Sequence, residues 1–230
     1  MAALAVGALF ALPAAAQTHT IPYEVADARP IVSVTIDGAP ARMLVDTGSR
    51  FVALSRVRAA ASGAPRYPVA TATGLVMARL VTFNRIEAGG AVSEMVEGAV
   101  LDSAPAGVDG LLGQSFLADF IVTLDPARRV MELRAPDDER DPAGLHPRRW
   151  WTARFNRFGA SRELFEAMAA SAQPGLSGAR TPGGLTALDA ARLRDHYAAL
   201  TRELSRIADG ARVPPEWRKI RSQPQPLVVQ

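Results

Sequence analysis

Residues 43–49, Met-Leu-Val-Asp-Thr-Gly-Ser, constrain the fold of this chain more than any other stretch. An apolar strand runs directly into Asp46-Thr47-Gly48, so the carboxylate lies where the strand becomes a turn. Gly48 has no Cβ, which allows strained backbone angles and lets its N–H approach the Asp46 carboxylate. Ser49 could add a hydroxyl donor on the same side. The stretch therefore predicts a carboxyl group held by hydrogen bonds in a tight bend.

The chemistry of such a carboxyl group depends on whether it has a partner. Two carboxyl groups that face each other across a twofold axis share a proton, and one of their pKa values rises sharply. Such a pair can activate water at one carboxyl and protonate a carbonyl or amine from the other. The chain has one Asp-Thr-Gly, and Asp102-Ser103-Ala104, which also follows an apolar pair, lacks the glycine. A two-carboxylate site therefore requires two copies of the chain, with both Asp46 residues at the twofold axis.

Three features in order resemble the retropepsin-like family, the single-lobe, retroviral-type aspartic proteases of bacteria. They are Leu44–Ser49, a hairpin near Thr73-Gly74, and Gly110-Leu111-Leu112-Gly113 followed by Gln114-Ser115-Phe116-Leu117. The resemblance implies a mainly β fold, a retropepsin-like closed β-barrel lobe, acting as a homodimer on an extended peptide or protein substrate without metal or cofactor.

The resemblance also assigns roles to individual residues. Asp46 would be the catalytic residue, and Thr47, Gly48 and Ser49 would support its loop, with the Thr47 hydroxyl joining the loops of the two copies. Thr73 and Gly74 would belong to a flap over the substrate. The segment that packs beside the loop would be Leu111, Leu112 and Gly113. Arg50 departs from the family pattern, which has a smaller residue here: facing the cleft it would lower the pKa values of the pair, and facing solvent it would not.

Turn-forming residues and the periodicity of apolar residues divide the chain into five segments. Short strands separated by turns run from Tyr23 to about Arg134, including a strand pair at the Asp37-Gly38 turn, and no long amphipathic helix interrupts them. Helical patterns follow, one from Ser161 to about Ala172 and a longer one that begins at Thr186 and ends at Gly210. The predicted organisation is a signal peptide at 1–16, a protease domain at 17–134, a linker at 135–149, a C-terminal α-helical extension at 150–210 and a Pro-rich tail at 211–230.

The first sixteen residues predict export. They form an apolar run that ends in Ala-Ala-Ala before Gln17, as at a secretory cleavage site, although no Lys or Arg precedes Arg29. The run is short for a membrane span. We therefore expect the protein to be periplasmic or secreted, with the segment either cleaved or kept as an anchor.

Composition excludes several kinds of chemistry. The absence of cysteine rules out a thiolate nucleophile, disulfides and Cys-ligated zinc, and the three histidines have no metal-ligand spacing and are predicted to lie on the surface. Residues 1–140 carry 12 basic and 15 acidic side chains, whereas residues 141–230 carry 14 and 8. The basic helical extension could contact anionic lipid weakly, but we favour tryptophans packed on the β domain. Nucleic acid is not an expected partner.

Two other functions are alternatives to a protease. A non-catalytic module for dimerisation or peptide binding in the cell envelope remains an alternative, although it would not need the Asp46 carboxylate. A serine hydrolase at Ser115 is discarded, because Leu117 occupies the position where a nucleophile elbow needs glycine.

Overall fold

The computed structural model describes residues 17–55, 63–71, 74–171 and 185–220. Within these ranges there are eleven strands, three α-helices and one 3₁₀ turn at Pro215–Trp217. The strands are β1 (Thr18–Pro22), β2 (Glu24–Ala26), β3 (Arg29–Ile36), β4 (Ala39–Val45), β5 (Val52–Ser55), β6 (Arg66–Thr71), β7 (Gly74–Ala88), β8 (Ala91–Leu101), β9 (Gly110–Leu112), β10 (Ile121–Asp125) and β11 (Val130–Arg134). The helices are α1 (Gln114–Leu117), α2 (Arg148–Ser171) and α3 (Ala187–Gly210).

The strands form one large sheet and one small sheet. The large sheet has the order β2-β3-β4-β9-β5-β8-β7-β6, and a further pairing of β3 with β7 closes six of these strands into a ring. The small sheet has the order β1-β11-β10. The prediction of a mainly β fold with C-terminal helices is confirmed. None of the helices in the described ranges is long and apolar enough to span a membrane.

Local turn chemistry places β4, the strand that carries Asp46. Asp37 and Gly38 join β3 to β4 with φ angles of +47° and +84°, the left-handed pair that a two-residue hairpin turn needs. The resulting register pairs Ile31 with Leu44 and Val32 with Met43. The sequence therefore determines at this turn where β4 ends and the loop begins.

Alternation along the strands separates two apolar clusters. Val52 and Leu54 of β5 lie in a first cluster inside the β domain, whereas Ala53 and Phe51, the residue before β5, lie in a second cluster on the opposite face. The second cluster joins the sheet to the helices. Its sheet residues are Phe51, Ala53, Tyr67, Ala78, Leu80 and Ala99, and its larger helical and C-terminal members are Trp150, Trp151, Phe155, Phe158, Phe165, Leu193, Tyr197, Leu204 and Trp217. The tryptophans pack on the β domain, as we favoured from the sequence.

Helix α2 is longer than its sequence pattern suggested. The helix expected from Ser161 begins at Arg148, because the aromatic stretch around Trp151 is buried as helix against the sheet. Two residues of the predicted linker thus belong to α2. The segment expected to separate the helices, from Gln173 to Gly184, lies outside the described residues, whereas α3 begins at Ala187 with the Thr186 hydroxyl accepting from the Asp189 N–H at 3.0 Å.

A buried carboxylate orders the chain immediately before α2. Asp141 accepts hydrogen bonds from the backbone N–H groups of Ala143, Leu145 and His146 and from Trp151 Nε1, at 2.6–3.2 Å. Burial opposes ionisation of this group, but these donors hold the pKa of Asp141 below its ordinary value. The predicted linker therefore contains a turn that is fixed to α2.

A buried ion pair between Arg154 and Asp119 connects α2 to the residues that follow α1. Arg154 donates to Asp119 through two nitrogens, at 3.0 and 2.8 Å, and to the Glu94 carbonyl. Burial raises the pKa of Asp119, but the charge and hydrogen bonds of Arg154 outweigh it and hold the pKa low. Loss of one partner would leave a buried charge unpaired.

The prediction that the histidines lie on the surface is wrong for His146. Its ring stacks on Trp150 with centroids 3.6 Å apart, and its side chain is 16% exposed. Burial and the positive charge of Arg154 lower the pKa of His146 to about 4, although Glu94 Oε2 lies 3.3 Å from its Nε2. Burial has the larger effect on the His146 pKa, because Glu94 is itself 43% exposed and its charge is screened.

The His146 pKa predicts a loss of stability in acid. The ordinary pKa is 6.5 and the folded value about 4, so between these values the unfolded chain binds the proton and the folded chain does not. The contribution of neutral His146 to the free energy of unfolding is therefore fully present above pH 6.5. It falls by about 3 kcal/mol as the pH is lowered toward 4. Urea unfolding of the wild type and His146→Gln measures it, since the advantage of the wild type should shrink between pH 7 and 4. A constant difference across this range would contradict the assignment.

Candidate active site

The loop that carries Asp46 spans a strand inserted between its two ends. Strand β9 lies between β4 and β5, parallel to β4 and antiparallel to β5. Residues 46–51 must therefore cross the end of β9 to reach β5. This crossing places the loop directly against Gly113, which follows β9 in the chain.

Backbone hydrogen bonds hold the Asp46 carboxyl as the sequence predicted for Gly48. The Gly48 N–H donates to Asp46 Oδ1 at 3.0 Å, and a Cβ on Gly48 would lie 3.3 Å from the same oxygen. The Asp46 N–H donates to the Leu112 carbonyl at 3.1 Å, and the Ser49 N–H to the Asp46 carbonyl at 3.2 Å. The carboxyl group is half-buried, at the surface end of β4. The Gly48 N–H thus orients the carboxyl group, and the other two bonds hold the backbone of Asp46.

Ser49 has a different role from the one that its position suggested. Its hydroxyl donates to the Phe51 carbonyl at 2.8 Å and supports the exit of the loop rather than the carboxylate. Thr47 is exposed, so its predicted contact with a second loop stays a prediction.

Gly113 is required by a close approach of two backbone segments. A Cβ at this position would lie 2.1 Å from the Phe51 carbonyl oxygen and 2.7 Å from the Ser49 carbonyl oxygen. Real Cβ atoms do not approach backbone oxygens so closely, and a backbone segment cannot yield as a flexible side chain does. Only glycine fits where the loop crosses the end of β9.

Gln114 and Ser115, the two residues after Gly113, hold the loop through hydrogen bonds. The Gln114 and Ser115 N–H groups donate to the Ser49 and Arg50 carbonyls at 2.8 and 3.0 Å. The Gln114 side-chain amide donates to the Thr47 carbonyl at 2.9 Å, and the buried Ser115 hydroxyl accepts from the Val52 N–H at 2.8 Å. The sequence signal was their position directly after Gly113, where α1 begins. The Ser115 hydroxyl thus has a supporting function in the loop.

The hairpin predicted to cover the substrate is formed by β6 and β7, which pair from Arg66–Arg79 to Thr71–Gly74. Gly74 has a φ of +120°, and Thr73 lies outside the described residues. Near the tip the apolar side chains of Leu75, Val76 and Met77 are 65%, 37% and 38% exposed. Beyond the hairpin, β7 continues without interruption through Ala88.

Arg50 lies beside the hairpin. Its guanidinium carbon is 5.1 Å from the centroid of the Phe51 ring. Burial raises the pKa of Tyr67 on β6, and the positive charge of Arg50 opposes this rise. Within the described ranges, no group of three or more His, Asp or Glu side chains could hold a metal ion.

The family model described as Aspartyl protease matches residues 32–116. These residues run from β3 through the Asp46 loop and the hairpin to Gly113 and α1. Residues 32–116 are thus similar in sequence to the aspartyl protease family. The loop, the carboxyl and the supporting helix described above thus all lie in the part of the chain that carries the family's sequence.

One solved structure is similar to part of the chain. The chain is similar to a retropepsin-like aspartic protease from Rickettsia conorii, known from its crystal structure, with 20% sequence identity and a TM-score of 0.41. The similarity covers 52% of this chain and 95% of the other. The comparison with curated proteins gave no match.

Proposed function

We propose that the chain is an aspartic endopeptidase that acts as a homodimer. One Asp46 carboxyl comes from each copy, and a water molecule is held between the two. The ionised carboxyl takes a proton from this water while the oxygen of the water attacks the carbonyl carbon of the peptide bond. The protonated carboxyl donates to the carbonyl oxygen. When the C–N bond then breaks, the nitrogen takes up a proton, and no covalent intermediate or metal takes part.

The observation that carries the proposal is the rigid presentation of Asp46 within an aspartyl protease sequence. The Gly48 N–H orients the carboxyl group, and Gln114 holds the loop through two hydrogen bonds. A group fixed in this way loses little entropy when the reaction occurs.

The small sheet supports the dimer. Strand β10 is an edge strand, and Ile121 and Leu124 on it are 42% and 39% exposed. It begins shortly after α1, the helix that holds the catalytic loop. An apolar edge invites pairing with another strand, and antiparallel pairing of β10 with β10 of a second copy would generate a twofold axis. A shared carboxyl pair requires a twofold axis that also brings the two Asp46 loops together.

The hairpin supports an extended peptide as the substrate. A peptide lying between the Asp46 loop and β6–β7 could add its backbone to the hairpin as a strand. The exposed apolar side chains of Leu75, Val76 and Met77 would then meet the substrate. We expect cleavage beside large apolar residues of an unfolded protein.

We also propose that the protein is exported to the periplasm or secreted. The apolar run at residues 1–16 supports this and lies outside the described residues. Mass spectrometry of the protein recovered from the cell envelope would give the position of any cleavage, expected before Gln17.

The experiment that tests the homodimer combines mass in solution with cleavage of an unfolded protein over a dilution series. Specific activity should fall as the dimer dissociates. Ile121→Arg would bring like charges together at the β10 edge and should lower dimer affinity and activity at least about tenfold. Val25→Arg is the matched control, since Val25 is 48% exposed on β2, an edge of the other sheet.

The outcomes separate the possible functions. Constant specific activity in a purely monomeric protein would overturn the shared pair. A stable dimer that binds unfolded protein without cutting it would indicate the non-catalytic module instead.

A further inference from the structure

The second apolar cluster connects the catalytic loop to the hairpin and to the helical extension. Phe51 leaves the loop directly before β5, Tyr67 lies on β6, and Phe165 lies on α2. All three are buried in the one cluster. The position of the hairpin is therefore coupled to residues about one hundred positions further along the chain.

The coupling runs through a series of ring contacts. Phe51 and Tyr67 meet edge to face with centroids 5.9 Å apart, and Tyr67 and Phe165 do so at 6.1 Å. Phe165 in turn stacks on Tyr197 of α3 at 5.8 Å. These separations and angles are those of favourable aromatic pairs. Among the described residues, Tyr67 is thus the ring that joins Phe51 of the loop to Phe165 of the helices.

A buried carboxylate fixes the far end of this series. The Tyr197 hydroxyl donates to Glu97 Oε1 at 2.7 Å, and Arg157 Nη1 donates to Glu97 Oε2 at 3.1 Å. Glu97 lies on β8 and is 1% exposed. Because an unpaired carboxylate would be costly there, the two helices are held at one position on the sheet. The aromatic series therefore ends on a fixed support.

The tip of the hairpin has no comparable support among the described residues. Leu75, Val76 and Met77 are exposed, whereas Tyr67 at the base is buried against α2. The hairpin is therefore packed against the helices at its base and exposes apolar side chains near its tip.

We propose that Tyr67 is a positioning residue through which the helical extension anchors the β6–β7 hairpin and sets its height over a bound peptide. The part that concerns peptide binding rests on the proposed function. The helical extension would thereby determine how tightly an extended substrate is held, while the chemistry at Asp46 stays the same.

The test compares two substitutions on the same helix in the full chain. Phe165→Leu removes the ring that meets Tyr67. Phe155→Leu is the matched control, because Phe155 is 3% exposed against 2% for Phe165 and its ring stacks on Trp151, with centroids 6.5 Å apart. Both variants lose the same apolar volume from the second cluster. Tyr67→Phe, which keeps the ring, should behave as the wild type.

Hydrogen exchange is the first readout and needs no activity. In Phe165→Leu the amides of β6 and of β7 up to Leu80 should exchange at least about tenfold faster, with those of β10 and β11 unchanged. Phe155→Leu should leave the hairpin amides within about twofold of the wild type. Equal exchange of the hairpin in both variants would overturn the proposal.

Kinetics is the second readout. For an extended peptide, Phe165→Leu should raise KM about tenfold with kcat changed less than about threefold, because positioning is lost and the chemical groups remain. A fall in kcat at constant KM would overturn the proposal. If the wild type cleaves no peptide but exchange changes as expected, the proposed function fails while the anchoring of the hairpin stands.

Discussion

Replacing Asp46 by asparagine should reduce peptide cleavage by at least about 10³-fold. Asparagine keeps the size of the side chain and can still accept from the Gly48 N–H, so the loop should stay folded. It can neither take a proton from water nor share one with the second copy. Cleavage of an unfolded protein between acidic and neutral pH measures the loss, and the pH optimum of the wild type reports the titration of the pair.

Two controls make this result specific. Asp102→Asn changes the other aspartate that follows an apolar pair and should retain wild-type activity. After subunit exchange, an equal mixture of wild type and Asp46→Asn should have about one quarter of the wild-type activity per total protein, against about one half without exchange, since mixed dimers carry one working carboxyl. Full activity in Asp46→Asn would show that this residue is not catalytic.

Gly113→Ala should destabilise the protein by about 3 kcal/mol or more, or prevent folding. The added Cβ would lie 2.1 Å from the Phe51 carbonyl oxygen, so the loop and β9 would have to separate. That movement would also break the hydrogen bonds from Gln114 and Ser115 to the loop. Urea unfolding, or the soluble yield if the variant does not fold, measures the effect.

Gly210→Ala is the corresponding control. A Cβ on Gly210 would meet nothing within 4 Å, and this residue ends α3. Alanine there should leave stability unchanged or raise it by up to about 1 kcal/mol. Equal effects at the two glycines would contradict the close crossing at Gly113.

The parts of the fold nearest Asp46 could be predicted because their signals are local. The alternation in β3 and the Asp37-Gly38 turn together determine where β4 ends. Thr186 and Asp189 show the start of α3 for the same reason, since a capping contact spans three residues. Gly48 needed only the geometry of its own tripeptide.

The remaining contacts have no local signature. Glu97 and Tyr197 are one hundred positions apart, and neither differs in sequence from a solvated residue of its type. Asp141 lies in a charged, proline-bearing stretch that is typical of a linker, yet its carboxylate collects three backbone donors. The sequence placed the Ser49 hydroxyl near the Asp46 carboxylate, but the path of the loop directs it to the Phe51 carbonyl.

The second apolar cluster also determines how much chain the catalytic lobe needs. A chain stopped at Arg134 would keep Asp46, Gly113 and the hairpin, but Phe51, Tyr67 and Leu80 would face water. During synthesis the lobe therefore emerges with an uncovered apolar face, which is prone to association until the helices arrive. We therefore expect the smallest stable unit to extend to Trp217, whose buried ring belongs to the cluster, and a shorter excised lobe to be less stable than the whole chain.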